Sequence, residues 1–180
     1  MNPAGGLRIR DPAPDFKLPG VDGNSYSLAD FSDKKMLVIM FTCNHCPYVQ
    51  AYEERLVAIQ QDYRDRGVAL VAINSNDDQR IPEDSFENMI ERAKVKEYNF
   101  PYLRDKDQTV VTAYGARVTP EVYVFDSERR LRYHGRVDDS RDPQKVMKHD
   151  LRNAIVALLR GEEVPVAETA AFGCTVKWHS

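Results

Sequence analysis

The chain has 180 residues, enough for one domain with a full hydrophobic core, and its 42% hydrophobic and 29% charged content is that of a soluble globular protein. A net charge of −3 offers no basic stripe and argues against nucleic acid as a partner. Residues 1–20 hold no apolar run long enough for a signal peptide or a membrane span, so the expected location is cytoplasmic, with no membrane partner.

In chain order, Asp15-Phe16-Lys17-Leu18 alternates, Asp22-Gly23-Asn24 turns, and Tyr26-Ser27-Leu28 alternates again, which predicts a small N-terminal β-hairpin. Residues 36–41 form a continuous apolar run and suit a buried central strand. Val49, Tyr52, Leu56, Ile59 and Tyr63 recur at helical spacing, and Gly67 closes that helix. Residues 68–73 read as a second buried strand. Pro82 opens a helix with Phe86, Met89, Ile90 and Ala93 on one face. Residues 107–114 read as a short helix ending at Gly115. Residues 122–125 and 131–136 read as strands paired in a hairpin. Asp142-Pro143 caps a last helix bearing Met147, Leu151, Ala154, Ile155 and Leu158, which stops at Gly161. The order β-α-β-α-(α)-β-β-α predicts an α/β fold with a mixed central sheet flanked by helices. The predicted domain covers residues 1–161. Residues 162–180 lack periodicity, yet they contain Phe172, Cys174, Val176 and Trp178, so they are expected to dock on the same body, with Trp178 as a packing anchor.

The chemistry concentrates at Cys43-Asn44-His45-Cys46, directly behind the first apolar strand and ahead of a helix. A Cys-x-x-Cys pair in that position is the layout of a dithiol redox site. A helix N-terminus offers unpaired N–H groups and a positive dipole end, both of which favour thiolate, the attacking form. Two sulfurs allow exchange in two steps, attack on a substrate disulfide and resolution of the mixed disulfide. Cys43 is the expected nucleophile, as the more exposed sulfur with most of the dipole's influence, and Cys46, one turn deeper, the resolver. His45, if protonated, would lower the Cys43 pKa; its bland reading is an exposed first-turn residue without a role. Pro47 fits the first helical turn.

Other readings of the cysteines remain. They could be a structural disulfide or two inert thiols. Cys43, Cys46 and Cys174 with His45 or His179 could in principle ligate zinc, but adjacent His45 and Cys46 turn poorly to one ion and no second tight ligand pair exists. No metal and no organic cofactor is therefore implied. Cys174, the odd cysteine, is either a third redox thiol fed by the dithiol through the tail or a small buried packing residue; the commonness of buried free cysteine favours packing.

Ala13-Pro14-Asp15-Phe16, Asp22-Gly23, Ser27-Leu28, the Cys-x-x-Cys segment and Tyr114-Gly115-Ala116-Arg117-Val118-Thr119-Pro120 together resemble the thioredoxin-like superfamily, in the branch shared by peroxiredoxins and membrane-tethered thiol reductases. The tail Gly173-Cys174-Thr175-Val176-Lys177-Trp178 is similar to the ending of a peroxiredoxin-like subgroup that also carries Asn-His-Cys-Pro-Tyr. The resemblance implies a thioredoxin-like fold. It also implies a cis Thr119-Pro120 peptide beside Cys43, which presents backbone to an extended substrate and keeps metal out. The departures are Thr42 where thioredoxins have Trp, Leu37 at the position of their buried aspartate, and Val49 where tethered reductases often have an acid. The expected function is that of a thiol–disulfide oxidoreductase acting on protein or small-molecule disulfides. The alternatives are a peroxiredoxin-like peroxidase acting on peroxide, and a non-catalytic thioredoxin-like binding module. The peroxidase pattern is broken: three residues before Cys46 stands Cys43, three before Cys43 stands Met40, and the arginine position falls near Pro120. Cys46-Pro47 does copy the Cys-Pro step of peroxidases.

Overall fold

The computed structural model describes residues 6–180; the part of the N-terminal reading that falls on residues 1–5 lies outside them. The hairpin pairs β1 (Lys17–Pro19) with β2 (Ser25–Ser27). The main sheet contains β3 (Met36–Thr42), β4 (Val68–Asn74), β5 (Tyr102–Arg104), β7 (Glu121–Phe125) and β8 (Leu131–Gly135), in the order β5-β4-β3-β7-β8. The first three run parallel, and β7 and β8 are antiparallel to their neighbours, which makes the sheet mixed. The helices are α1 (Pro47–Tyr63), α2 (Phe86–Val95), α3 (Thr109–Tyr114) and α4 (Asp150–Leu159). A two-residue strand β6 (Val118–Thr119) pairs with β9 (Cys174–Thr175) outside the main sheet. This is a thioredoxin-like α/β fold.

Every residue of β3 is buried because both sheet faces are covered, which is why its sequence is continuously apolar instead of alternating. Val38 and Met40 face a core with Tyr52, Leu56 and Ile59 of α1 and Leu151 and Ile155 of α4. Leu37, Ile39 and Phe41 face the other core, with Val110, Val111 and Tyr114 of α3. Leu37 thus fills an apolar layer in which an unpaired carboxylate would be costly.

Three expectations need correction, and one strand of the main sheet was not foreseen. The last helix begins at Asp150; Pro143–Lys145 is an isolated 3₁₀ turn, and Met147 is 84% exposed and outside any helix. Pro82–Asp84 is likewise a separate 3₁₀ turn, and α2 takes its cap from Ser85, whose hydroxyl accepts the Asn88 N–H. Strand β5 has only three residues, too few for a periodicity to register. Trp178 is 39% exposed; the buried anchor near the end of the tail is Val176. Among the described residues no helix is long and apolar enough to cross a membrane.

The tail lies against the body in two stretches. Near Thr169, the His134 N–H donates to the Ala167 carbonyl and the Thr169 N–H to the His134 carbonyl, along the edge of β8. Further on, the Val176 N–H donates to the Arg117 carbonyl and the Asp77 N–H to the Lys177 carbonyl. Between these lies β9.

Candidate active site

Strand β3 ends at Thr42, and Cys43, Asn44 and His45 form the bend that leads into α1. Cys46 is the residue that caps α1, and Pro47 occupies the first turn, where its missing N–H leaves no helix bond unmade. The helix end therefore lies at Cys46 and not, as expected, closer to Cys43. Both sulfurs sit in a small buried cluster with Val49, against which Tyr48 and Cys174 pack. Cys43 Sγ lies 3.5 Å from Thr119 Oγ1, and Cys46 Sγ lies 3.9 Å from the Thr119 carbonyl oxygen. The Thr119–Pro120 peptide is cis. Tertiary structure thus brings together Cys43, Cys46, Thr119, Pro120 and Cys174.

The sulfur pairing differs from the Cys-x-x-Cys expectation. Cys46 is joined to Cys174 in a disulfide with Cα atoms 6.3 Å apart, and Cys43 is the free thiol. The physical reason is the β6–β9 ladder, which sets Cys174 opposite Thr119, beside the Cys46 sulfur. The preference for Cys174 as a mere packing residue is therefore corrected.

Cys43 is also not the exposed, acidified thiol that its neighbours in sequence suggest. It is fully buried, and burial, reinforced by the negative charge of Asp84, pushes its thiol up from 9.0 to about 11. The Thr119 hydroxyl and the N–H groups of Cys46 and His45 act in the opposite direction and lose to these two effects.

Asp84 is the residue that sequence reasoning missed. It is completely buried and accepts the Asn44 N–H at 2.6 Å and the Asn74 Nδ2–H at 3.1 Å on one oxygen. Its other oxygen meets His45 Nδ1 at 2.6 Å and the Asn76 Nδ2–H at 3.0 Å. Asn44 is held in turn: the Tyr102 hydroxyl donates to its Oδ1 at 2.7 Å and its Nδ2–H donates to the Glu83 carbonyl at 2.9 Å. The available signal was three asparagines close to strand ends and an acid just after Pro82, but nothing local linked them. His45 faces this carboxylate and also borders an open cleft of about 720 Å³ that runs past Gln50, Glu83 and Arg92.

The imagined zinc set is not assembled, because Cys46 and Cys174 are bonded to each other and His179 Nε2 bonds to the Lys106 carbonyl at 2.8 Å. A different trio, Cys43, His45 and Asp84, has ligand atoms within 4.8 Å of one another. Both Asp84 oxygens already accept the hydrogen bonds described above.

Behind Thr119 lies a second buried acid. Glu121 accepts the Arg117 N–H at 2.9 Å and the Val118 N–H at 3.2 Å, and its other oxygen meets His134 Nε2 at 2.5 Å and the Tyr123 hydroxyl at 3.1 Å. Burial raises the Glu121 carboxyl, but the His134 contact and these N–H donors outweigh it, so the net shift is downward. Glu121 thereby fixes the backbone that presents Thr119.

A thioredoxin-like fold with cysteines gathered at the start of α1 defines a thiol-based redox protein. The AhpC/TSA family model matches residues 9–134, and the chain belongs to that family. Among solved structures it is similar to the hypothetical protein SMc02350 of Sinorhizobium meliloti 1021, with 41% identity, a TM-score of 0.92 and 97% of each chain covered. Among curated proteins it is 26% identical over 124 residues to "Thiol-disulfide oxidoreductase ResA" of Halalkalibacterium halodurans, covering 69% of this chain and 66% of that protein. It is 28% identical over 113 residues to "Putative peroxiredoxin Rv2521" of Mycobacterium tuberculosis, covering 63% of this chain and 67% of that protein. The chain thus spans about two thirds of the length of the curated relatives it matches.

Proposed function

We propose that the chain is a thiol–disulfide oxidoreductase in which Cys46 exchanges with the substrate and Cys43 resolves. The observation that carries this reading is that both sulfurs lie against one residue, Thr119, at 3.5 and 3.9 Å. The expected order of attack is reversed for a physical reason. Cys46 caps α1, where the helix end favours negative charge. Both sulfurs are buried, but Cys43 also faces the negative charge of Asp84, which together with burial holds it as a neutral thiol. In the reduced protein, Cys46 thiolate attacks a substrate disulfide and expels one substrate sulfur as thiolate. Cys43, after losing its proton to solvent base, then attacks Cys46 Sγ and expels the second substrate sulfur, leaving Cys43–Cys46 oxidised and the substrate reduced. The similarity to a curated thiol–disulfide oxidoreductase supports the same reaction class.

A second reading, peroxide reduction, has its own supporting observation. Oxidation of Cys46 to the sulfenic acid, followed by condensation with the Cys174 thiol and loss of water, gives the Cys46–Cys174 pairing. The test is reduction of a protein disulfide by the dithiol form, run beside peroxide consumption with a thiol reductant. Exchange chemistry predicts fast disulfide reduction that Cys46→Ser abolishes, with Cys43→Ser trapping a mixed disulfide on Cys46. Peroxide turnover without disulfide reduction selects the peroxidase. Inertness in both assays, with no effect of Cys43→Ser, selects a binding module.

A further inference from the structure

The tail approaches Thr119 more closely than any side-chain-bearing residue could. A Cβ on Gly173 would lie 1.9 Å from the Thr119 carbonyl oxygen and 2.7 Å from its carbon. The next residue, Cys174, pairs with Thr119 in the antiparallel ladder and holds Cys46 in a disulfide. The residue before, Phe172, lies with its ring centroid 6.0 Å from that of Tyr48 and 6.3 Å from that of Tyr52, both on α1. Three consecutive tail residues thus make three different contacts: a ring against rings, a bare backbone against a carbonyl, and a sulfur on a sulfur.

We propose that this stretch of tail is an internal copy of the substrate, and that the chain's polypeptide substrates are extended segments with glycine directly before the reacting cysteine and an aromatic residue before the glycine. The proposal rests on the exchange reading above and names its substrate class. The stretch is anchored at both ends, by Thr169 on β8 and by Val176 on the Arg117 carbonyl, so only the few residues between must lift. Release is an internal exchange: Cys43 gives its proton to a solvent base and attacks Cys46 Sγ, a Cys43–Cys46 bond forms, the Cys46–Cys174 bond breaks, and Cys174 leaves as thiolate and takes that proton back from solvent. No outside oxidant or reductant enters. After reduction of Cys43–Cys46 by a dithiol, the vacated Thr119 edge accepts an intermolecular segment, against which the tethered tail competes through its high effective concentration.

The test uses the reduced full-length chain carrying Cys43→Ser and Cys174→Ser, which removes the resolving and the competing sulfur and leaves Cys46 to capture the probe. The probes are the peptide Ala-Phe-Gly-Cys-Thr-Val, activated as a mixed disulfide with thionitrobenzoate, the same peptide with alanine for glycine, and the free bis-thionitrobenzoate disulfide. Expected is capture of the glycine peptide on Cys46, mapped by mass spectrometry, at least tenfold faster than the alanine peptide. A second variant, Gly173→Ala in the same background, displaces the tail strand and should speed capture of the glycine peptide further. Equal capture of the two peptides, with the small disulfide reacting normally, overturns the substrate assignment alone. A chain inert toward the small disulfide as well overturns the exchange reading, and this inference with it.

Discussion

His45 Nδ1 lies 2.6 Å from Asp84 Oδ2, and the aspartate beneath it is completely buried. A protonated imidazole two residues along the chain from a thiol would ordinarily favour the thiolate. Here the imidazole faces a carboxylate, and the charge that acts on Cys43 is that of Asp84. The predicted consequence is that Asp84→Asn lets Cys43 ionise at lower pH. Iodoacetamide labelling of Cys43 across a pH series should show its midpoint moved below that of the native chain. An unchanged or higher midpoint would contradict the assigned role of Asp84. The substitution also turns two of the oxygen's donors against an amide, so a stability loss of about 1–3 kcal/mol should accompany it.

The raised Cys43 pKa has a thermodynamic counterpart. Below pH 9.0 the thiol is neutral in both folded and unfolded chains and contributes nothing to the slope. Between 9.0 and about 11 the unfolded chain loses this proton while the folded chain keeps it, so stability falls as pH rises and levels off above the folded value. In a Cys46→Ser/Cys174→Ser background, which avoids disulfide scrambling, raising the pH from about 8 to about 10 should cost about 1 kcal/mol more with Cys43 than with Cys43→Ser. Urea midpoints of the two proteins provide the check, and parallel pH curves would refute it.

Glu121 has the opposite sign. Its carboxyl is shifted down, so its contribution is present above the ordinary 4.5 and is lost as pH falls through the lower folded value. Glu121→Gln keeps the shape but weakens the bonds to the Arg117 and Val118 N–H groups, each charge-assisted in the native chain. Thermal unfolding should show a loss of about 1–3 kcal/mol at neutral pH that shrinks under acid. Hydrogen exchange at Val118 should speed up in step; full retention of its protection would show that Glu121 does not hold this segment.

Tyr102→Phe removes the hydroxyl that donates to Asn44 Oδ1 and leaves that buried oxygen unpaired. The expected loss is about 1–3 kcal/mol by chemical denaturation, together with faster alkylation of Cys43 as the bend loosens. A neutral effect on both would mean that another donor replaces the tyrosine.

The apolar runs that became β3 and β4 and the repeat that became α1 could be read directly, because each spans many residues with one uninterrupted pattern. The hairpin and the β7–β8 pair were readable from alternation and turn chemistry. Strand β5 and the start of α4 were not, since a three-residue strand and a helix preceded by a separate Pro143 turn carry no local periodic signal. Asp84 lies 40 residues beyond Asn44, and only folding sets it against the Cys43 bend.

By itself the sequence determined that two cysteines sit at a strand-to-helix junction, since that follows from residue types and short spacings; the Thr-Pro step beside them was implied by the family resemblance alone. Only the tertiary structure decided which sulfurs bond and which thiol is held neutral. Pairing across 128 residues depends on the β6–β9 ladder, and an ionisation equilibrium depends on water excluded and charge brought near by distant segments.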